Sequence, residues 1–209
     1  MTRRGIVAVP AAMALTAAVV AGCSGGGGSG SHSGSSAPSS SSSAQKTGPA
    51  PTESNPPGDI PDNQVYVAYQ PSGGGFTVKV PEGWARSSAR TTTTFSDKLN
   101  KIEITPAPAP AAPTAQSVRT KVVPALKKQT KHFALGKVTT VSRKGGRAVL
   151  VTYRADSAPN PVTGKAVRDS VETYVFFHNG HQVTLTLAGP TGADNVDPWR
   201  IVSDSLRWQ

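Results

Sequence analysis

The sequence predicts an α+β domain with helices packed on a mostly antiparallel sheet. Three observations lead there. Apolar and polar residues alternate in several short runs, two pairs of these runs are joined by glycine-bearing tight turns, and two stretches of helical period interrupt them.

The elements follow in chain order. Val65 to Gln70 is a short strand candidate, broken by Pro71-Ser72-Gly73-Gly74-Gly75. Phe76-Thr77-Val78-Lys79-Val80 places Phe76, Val78 and Val80 on one face, as a half-buried strand requires, and Pro81-Glu82-Gly83 turns the chain to deliver Trp84. Thr91 to Ser96 and Lys101 to Thr105 form the next pair, joined through Asp97 to Asn100. A Pro/Ala loop from Pro106 to Pro113 leads to a helix capped by Thr114, with Val118, Val122, Leu126 and Phe133 on one stripe and Gly136 as its stop. Pro124 inside it lacks an amide hydrogen, which predicts a kink or break.

The hairpins are the clearest signals. Lys137 to Arg143 and Arg147 to Arg154 flank Lys144-Gly145-Gly146, while Val167 to His178 and His181 to Ala188 flank Asn179-Gly180. A two-residue turn at Asn179-Gly180 pairs Phe176 with Val183 and Tyr174 with Leu185 on one apolar face, leaving Thr184 and Thr186 on the other. Asp197-Pro198 opens a closing helix with Trp199, Val202 and Leu206 on its inner side.

Ahead of this domain the composition changes. Arg3 and Arg4 followed by the apolar run Ile6 to Val20 read as a secretory signal, too short and too alanine-rich for a permanent span. Val20-Ala21-Gly22-Cys23 resembles the lipobox of bacterial lipoproteins, although leucine is commoner where Val20 stands. That resemblance implies cleavage before Cys23, a diacylglyceryl group on its thiol, and anchorage on the extracytoplasmic face of the cell membrane. Thr2-Arg3-Arg4-Gly5-Ile6-Val7 also resembles a twin-arginine export signal, so the export route stays open. Cys23 is the only cysteine, so a lipidated chain has neither a disulfide nor a cysteine metal site. Residues 24–63 are rich in Gly, Ser, Pro, Ala and Thr, and cannot bury enough apolar surface to offset chain entropy. They are expected to form a disordered tether reaching on the order of 30–35 Å. The single globular domain then spans 64–209.

Within that span Gly75-Phe76-Thr77-Val78-Lys79-Val80-Pro81-Glu82-Gly83-Trp84 is similar to the opening strand and Pro-x-Gly-Trp turn of PsbP/Mog1-like domains. Ile201-Val202-Ser203-Asp204-Ser205-Leu206-Arg207-Trp208 resembles their closing helix and its aromatic exit. Actinobacterial lipoproteins of the LpqN/LpqT type share this arrangement. The resemblance implies an α/β/α sandwich with a central, mostly antiparallel sheet flanked by helices, and a protein that binds other proteins or assists assemblies, with no shared catalytic motif.

No constellation in the sequence points to a reaction. His178 and His181 face each other across the Asn-Gly turn, but two imidazoles without a nearby carboxylate are too few to hold a metal. His132 would complement the negative end of the long helix. Glu172 shares a face with Tyr174 and Phe176, an unusual place for a carboxylate. Gly73-Gly74-Gly75 precedes a strand, whereas a phosphate cradle needs glycines that precede a helix. Charge carries more information. The net charge of +10 falls to +8 once Arg3 and Arg4 leave with the signal, and Arg119, Lys121, Lys127, Lys128 and Lys131 crowd the long helix. They are the candidate contacts for an anionic envelope lipid or polymer, or for an envelope protein. No cofactor, metal or nucleic-acid partner is expected, and the protein is expected to be monomeric and non-catalytic; an envelope hydrolase with an unrecognised site is the alternative.

Overall fold

The computed structural model describes residues 57–160 and 162–209. They form ten strands and two helices: β1 (Tyr66–Tyr69), β2 (Phe76–Pro81), β3 (Ala85–Ala89), β4 (Thr92–Asp97), β5 (Asn100–Pro108), α1 (Ala115–Gln129), β6 (Lys131–Arg143), β7 (Gly146–Asp156), β8 (Arg168–His178), β9 (His181–Pro190), α2 (Val196–Asp204) and β10 (Arg207–Trp208). Seven strands make one antiparallel sheet in the order β3-β4-β5-β9-β8-β7-β6, and β1-β2-β10 make a smaller one.

Alternation along the central strands sorts their side chains onto two faces. Ile102, Ile104, Leu150, Tyr174, Phe176, Leu185 and Leu187 pack with Phe76, Val78 and Val80 of the small sheet and with Trp199, Val202 and Leu206. On the opposite face Val149, Val151, Tyr153, Val171 and Val175 pack beneath Val118, Val122 and Leu126 of α1. The α+β class thus holds, with one outer layer made by α1 and the other shared between α2 and the three-stranded sheet. The Asn179-Gly180 turn places Phe176 against Val183 and Tyr174 against Leu185, as expected. Both turn residues take positive φ, 44° and 78°, the geometry that suits a right-twisted hairpin.

Packing also takes in the segment just before Gln64. The Ile60 side chain is buried, and the Ile60 amide donates to Asn195 Oδ1 at 2.9 Å. Asn100 and Asn195 both donate to the Gly58 carbonyl, at 2.8 and 3.0 Å. This use of the Asn195 side chain explains why it does not cap α2, although Asn195, rather than Asp197, precedes the helix.

Other expectations give way. α1 begins as foreseen, with Thr114 and Ser117 bonding each other's backbone amides in a capping box. It then runs through Pro124 without a break and stops at Gln129, not at Gly136. Phe133 and His132 therefore belong to β6, where His132 sits at φ 50° beside a register shift, so its proposed role at the helix end is overturned. Gly136 is a strand residue: a Cβ there would lie 2.5 Å from Thr152 Oγ1 and 2.9 Å from the Thr152 carbonyl oxygen. β5 continues through Pro106 to Pro108, which had read as loop, and β3 had no counterpart in the expected elements.

Candidate functional site

The basic residues anticipated on the long helix divide into groups. Successive helical residues are about 100° apart, so the buried stripe of Val118, Val122 and Leu126 leaves Lys121, Lys127 and Lys128 on the flanks and outer side. All three are exposed. Arg119 lies next to the stripe, and its guanidinium donates to the Val138 carbonyl at 3.2 Å. Lys131, expected on the helix, instead opens β6, just past the helix end. α1 contains no acidic residue, and none of these five cations makes a salt bridge among the described residues.

A second basic surface was not foreseen. Lys79 of β2, Lys144 of the β6–β7 turn, Arg200 of α2 and Arg207 of β10 line a groove of about 440 Å³ with Ile201, Asp204 and Ser205. Asp204 is drawn towards Arg200 at 3.6 Å and Arg143 at 3.8 Å, whereas Lys79 and Lys144 have no salt-bridge partner among the described residues. These four cations come from β2, the β6–β7 turn, α2 and β10, so tertiary packing brings them together.

Glu172 has a structural partner. It accepts from the Tyr174 hydroxyl at 2.6 Å, and that hydroxyl accepts from Arg143 at 3.0 Å. Arg143 also donates to Ser203 Oγ and lies over the Tyr174 ring, tying β6 and β8 to α2. Burial raises the Tyr174 phenol above its ordinary pKa, with Glu172 adding to the shift. Glu172 is thus the acceptor that lets a buried tyrosine face the core. His178 and His181 are opposite one another and exposed, and His178 stacks on Trp208 with ring centroids 5.4 Å apart.

The third feature is a cleft of about 410 Å³ beyond the end of α1. α1 covers β6 and β7 but stops at Gln129, leaving the sheet surface of β8, β9 and β5 beside it open. Asp169 lies in this cleft. It is only 8% exposed, and its Oδ1 has no hydrogen-bond partner among the described residues. Burial lifts its carboxyl pKa to about 6, against the opposing pull of Lys101. Nearby, Asp156 is held below the usual carboxylate range, chiefly by its hydrogen bond with His132 and further by Arg168. In the sequence Asp169 reads as an ordinary polar position of an alternating strand, and nothing local marks it as buried.

Cys23 lies outside the described residues. Among the described residues no helix is long and apolar enough to cross a membrane, and no three metal-ligating side chains gather.

No protein-family model matches the chain, and no curated protein sequence matches it. Among solved structures it is similar to the PsbP protein of Synechocystis sp. PCC 6803, at 16% identity over 73% of this chain and 98% of that one, with a TM-score of 0.49. It is also similar to the Ran-binding protein Mog1p of Saccharomyces cerevisiae, at 12% identity over 68% and 87% of the two chains, TM-score 0.45. LpqN of Mycobacterium tuberculosis, a protein involved in cell envelope biogenesis, is similar at 14% identity over 70% and 91%, TM-score 0.40. The chain spans about half the length, 48%, of a matched Bacteroides thetaiotaomicron protein. PsbP, Mog1 and LpqN are the types of domain that the strand-turn and closing-helix motifs resemble.

Proposed function

We propose that the protein is a non-catalytic binding module of the bacterial cell envelope. In this reading it is lipid-anchored at Cys23 on the outer face of the cytoplasmic membrane, and residues 24–63 carry the domain outward as a tether whose last residues dock at Gly58–Ile60. It recognises an anionic envelope component. The observation that supports this most directly is the outer side of α1, where Lys121, Lys127 and Lys128 stand exposed with no acidic residue in the helix and Lys131 follows at its end. Such a face attracts phosphate-bearing polymers and headgroups, and its attraction weakens with salt. The β2–α2 groove, with Lys79, Lys144, Arg200 and Arg207, is a second place where the same partner can bind.

A direct test uses fluorescent inorganic polyphosphate with the full chain, and neutral dextran as control. Polyphosphate should bind, more weakly as salt rises. Lys127→Glu, Lys128→Glu and Lys131→Glu together should weaken it by about tenfold or more, the scale of several lost exposed charge contacts. The triple of Lys79→Glu, Lys144→Glu and Arg200→Glu reports separately on the groove. Equal affinity for dextran, or no loss with either triple, would sink the anionic-partner reading.

A further inference from the structure

We infer that the groove between α2 and the small sheet is a binding site for a phosphate monoester carried on a short apolar stem. The inference rests on the anionic-partner reading proposed above, and narrows it to one chemical class at one of the two basic surfaces.

The two surfaces differ in shape. The lysines of α1 stand on the convex outer side of a single helix, where they present charge to an extended polymer. The groove is concave, and at about 440 Å³ it lies in the roughly 300–1,000 Å³ range of small-molecule pockets. Its walls come from separate elements. Thr77 and Lys79 alternate with the buried Phe76, Val78 and Val80, so they share the outer face of the small sheet with their cross-strand partners Arg207 and Ala68. Across from them α2 supplies Arg200, Ile201 and Asp204, and Lys144 stands at the β6–β7 turn. The two walls are tied at the floor. The Lys79 amide donates to Ser205 Oγ at 2.7 Å, and that hydroxyl donates to the Val202 carbonyl at 2.6 Å.

Charge selects the headgroup. Four exposed cations line the groove against one carboxylate, Asp204, which already has Arg200 and Arg143 beside it. Lys79, Lys144 and Arg207 have no salt-bridge partner among the described residues. The carbonyl end of α2 also lies here, and on its own it would repel an anion. Arg207 offsets it: Nη1 donates to the Asp204 and Leu206 carbonyls at 2.9 and 2.7 Å. Nε and Nη2 of Arg207 make no hydrogen bond among the described residues, so the guanidinium is held in place with donors to spare. A planar fork of that kind meets two oxygens of a tetrahedral anion at once. A phosphate monoester brings about −1.5 to −2 charge at neutral pH and three acceptor oxygens. A carboxylate, a sulfate ester or a phosphate diester brings a single charge, and leaves more of the groove's positive excess unmet. The stem follows from Ile201, which is 45% exposed, and from the exposed Ala68: both give the groove apolar surface that a short alkyl chain can cover.

The experiment is an amide-resolved NMR titration of the full chain at pH 7.5 with n-butyl phosphate, n-butyl sulfate and inorganic phosphate. Butyl phosphate should saturably shift the signals of Thr77, Lys79, Ile201 and Ser205. Butyl sulfate, of the same shape with less charge, should bind at least about fivefold more weakly, the scale of one exposed ion pair. Inorganic phosphate lacks the stem and should bind about fourfold more weakly, the worth of one buried methylene. Lys79→Gln with Lys144→Gln should weaken butyl phosphate by about tenfold. Both side chains are exposed, and the comparison of phosphate with sulfate in the unaltered chain needs no variant at all. Phosphatidylcholine vesicles containing phosphatidic acid separate the two sources of the group. Vesicle binding that butyl phosphate displaces assigns the group to a lipid headgroup, and butyl phosphate binding without vesicle binding assigns it to a soluble ester. Equal binding of butyl sulfate, shifts confined to residues outside the groove, or undiminished affinity of the double variant would overturn the site. Polyphosphate binding with no binding of butyl phosphate would overturn the groove alone, and failure of both probes would overturn the wider reading with it.

Discussion

Asp169 faces Ala155 across the ladder on one side and Pro190 on the other, on the sheet face that α1 leaves partly uncovered. Because its folded pKa, about 6, lies above the ordinary value, the folded state holds a proton that the unfolded chain has released between about pH 4 and 6. Stability therefore falls as pH rises through that window, and the ionised group costs about 1–3 kcal/mol above it. Asp169→Asn removes the cost. We expect the variant to melt higher than the parent at pH 7.5 and to lose that advantage by pH 4; thermal unfolding at the two pH values checks this. A variant that melts lower at both would show that the ionised carboxyl supports the fold. Glycines set the opposite constraint at two positions. Gly136 lets β6 run against Thr152, and Gly189 leaves room for Asn100 Oδ1 and Asn195 Nδ2, which would lie 2.4 and 2.8 Å from an added Cβ.

α1 is the element whose extent decides the most, since its early end opens the cleft and frees Lys131. Its continuity through Pro124 forfeits the bond to the Thr120 carbonyl that an amide at position 124 would make. Pro124→Ala should therefore stabilise the helix by about 1–2 kcal/mol, part of the propensity gain being offset by a freer unfolded chain. A melting temperature a few degrees higher, with unchanged binding, is the expected result; a lower one would mean that the proline ring packs in a way alanine cannot. The same element shows where sequence reasoning stops. Leu126 and Phe133 are seven residues apart, a helical spacing, yet Phe133 meets Tyr153 from a strand, with ring centroids 5.1 Å apart. Hairpins were legible because alternation and the Asn-Gly turn agree on one register. β3 was not, because Ala-Arg-Ser-Ser-Ala is exposed throughout and carries no alternation. The helix lysines could be read off as a run in sequence. The groove cations and Asp169 could not, since contacts between distant elements alone give them neighbours.

At the scale of the whole molecule, the proposed tether and the proposed lipid anchor at Cys23 would make the domain's position a property of the amino terminus. Cys23→Ser should move the protein from the membrane to the soluble fraction of cells expressing the full chain, without altering polyphosphate affinity. Membrane retention of that variant would count against lipid attachment. The two edge strands of the large sheet are β3 and β6, and both carry charge while only β6 is irregular. Arg86 lies on β3, while Lys137, Arg143 and two register shifts mark β6.

The closure of the small sheet bears on the order in which the chain can fold. β2 is completed on one side by β1 and on the other by β10, and the Lys79 amide bonds to Ser205 Oγ across 126 residues. Ile60 and Asn195, which join the segment before β1 to the start of α2, are 135 residues apart. Contacts of such separation are slow to form, because a long loop must close before they give any return. Every piece of β2's surroundings is therefore in place only after the last strand has been made. Until then Phe76, Val78 and Val80 lack the cover that α2 and β10 supply.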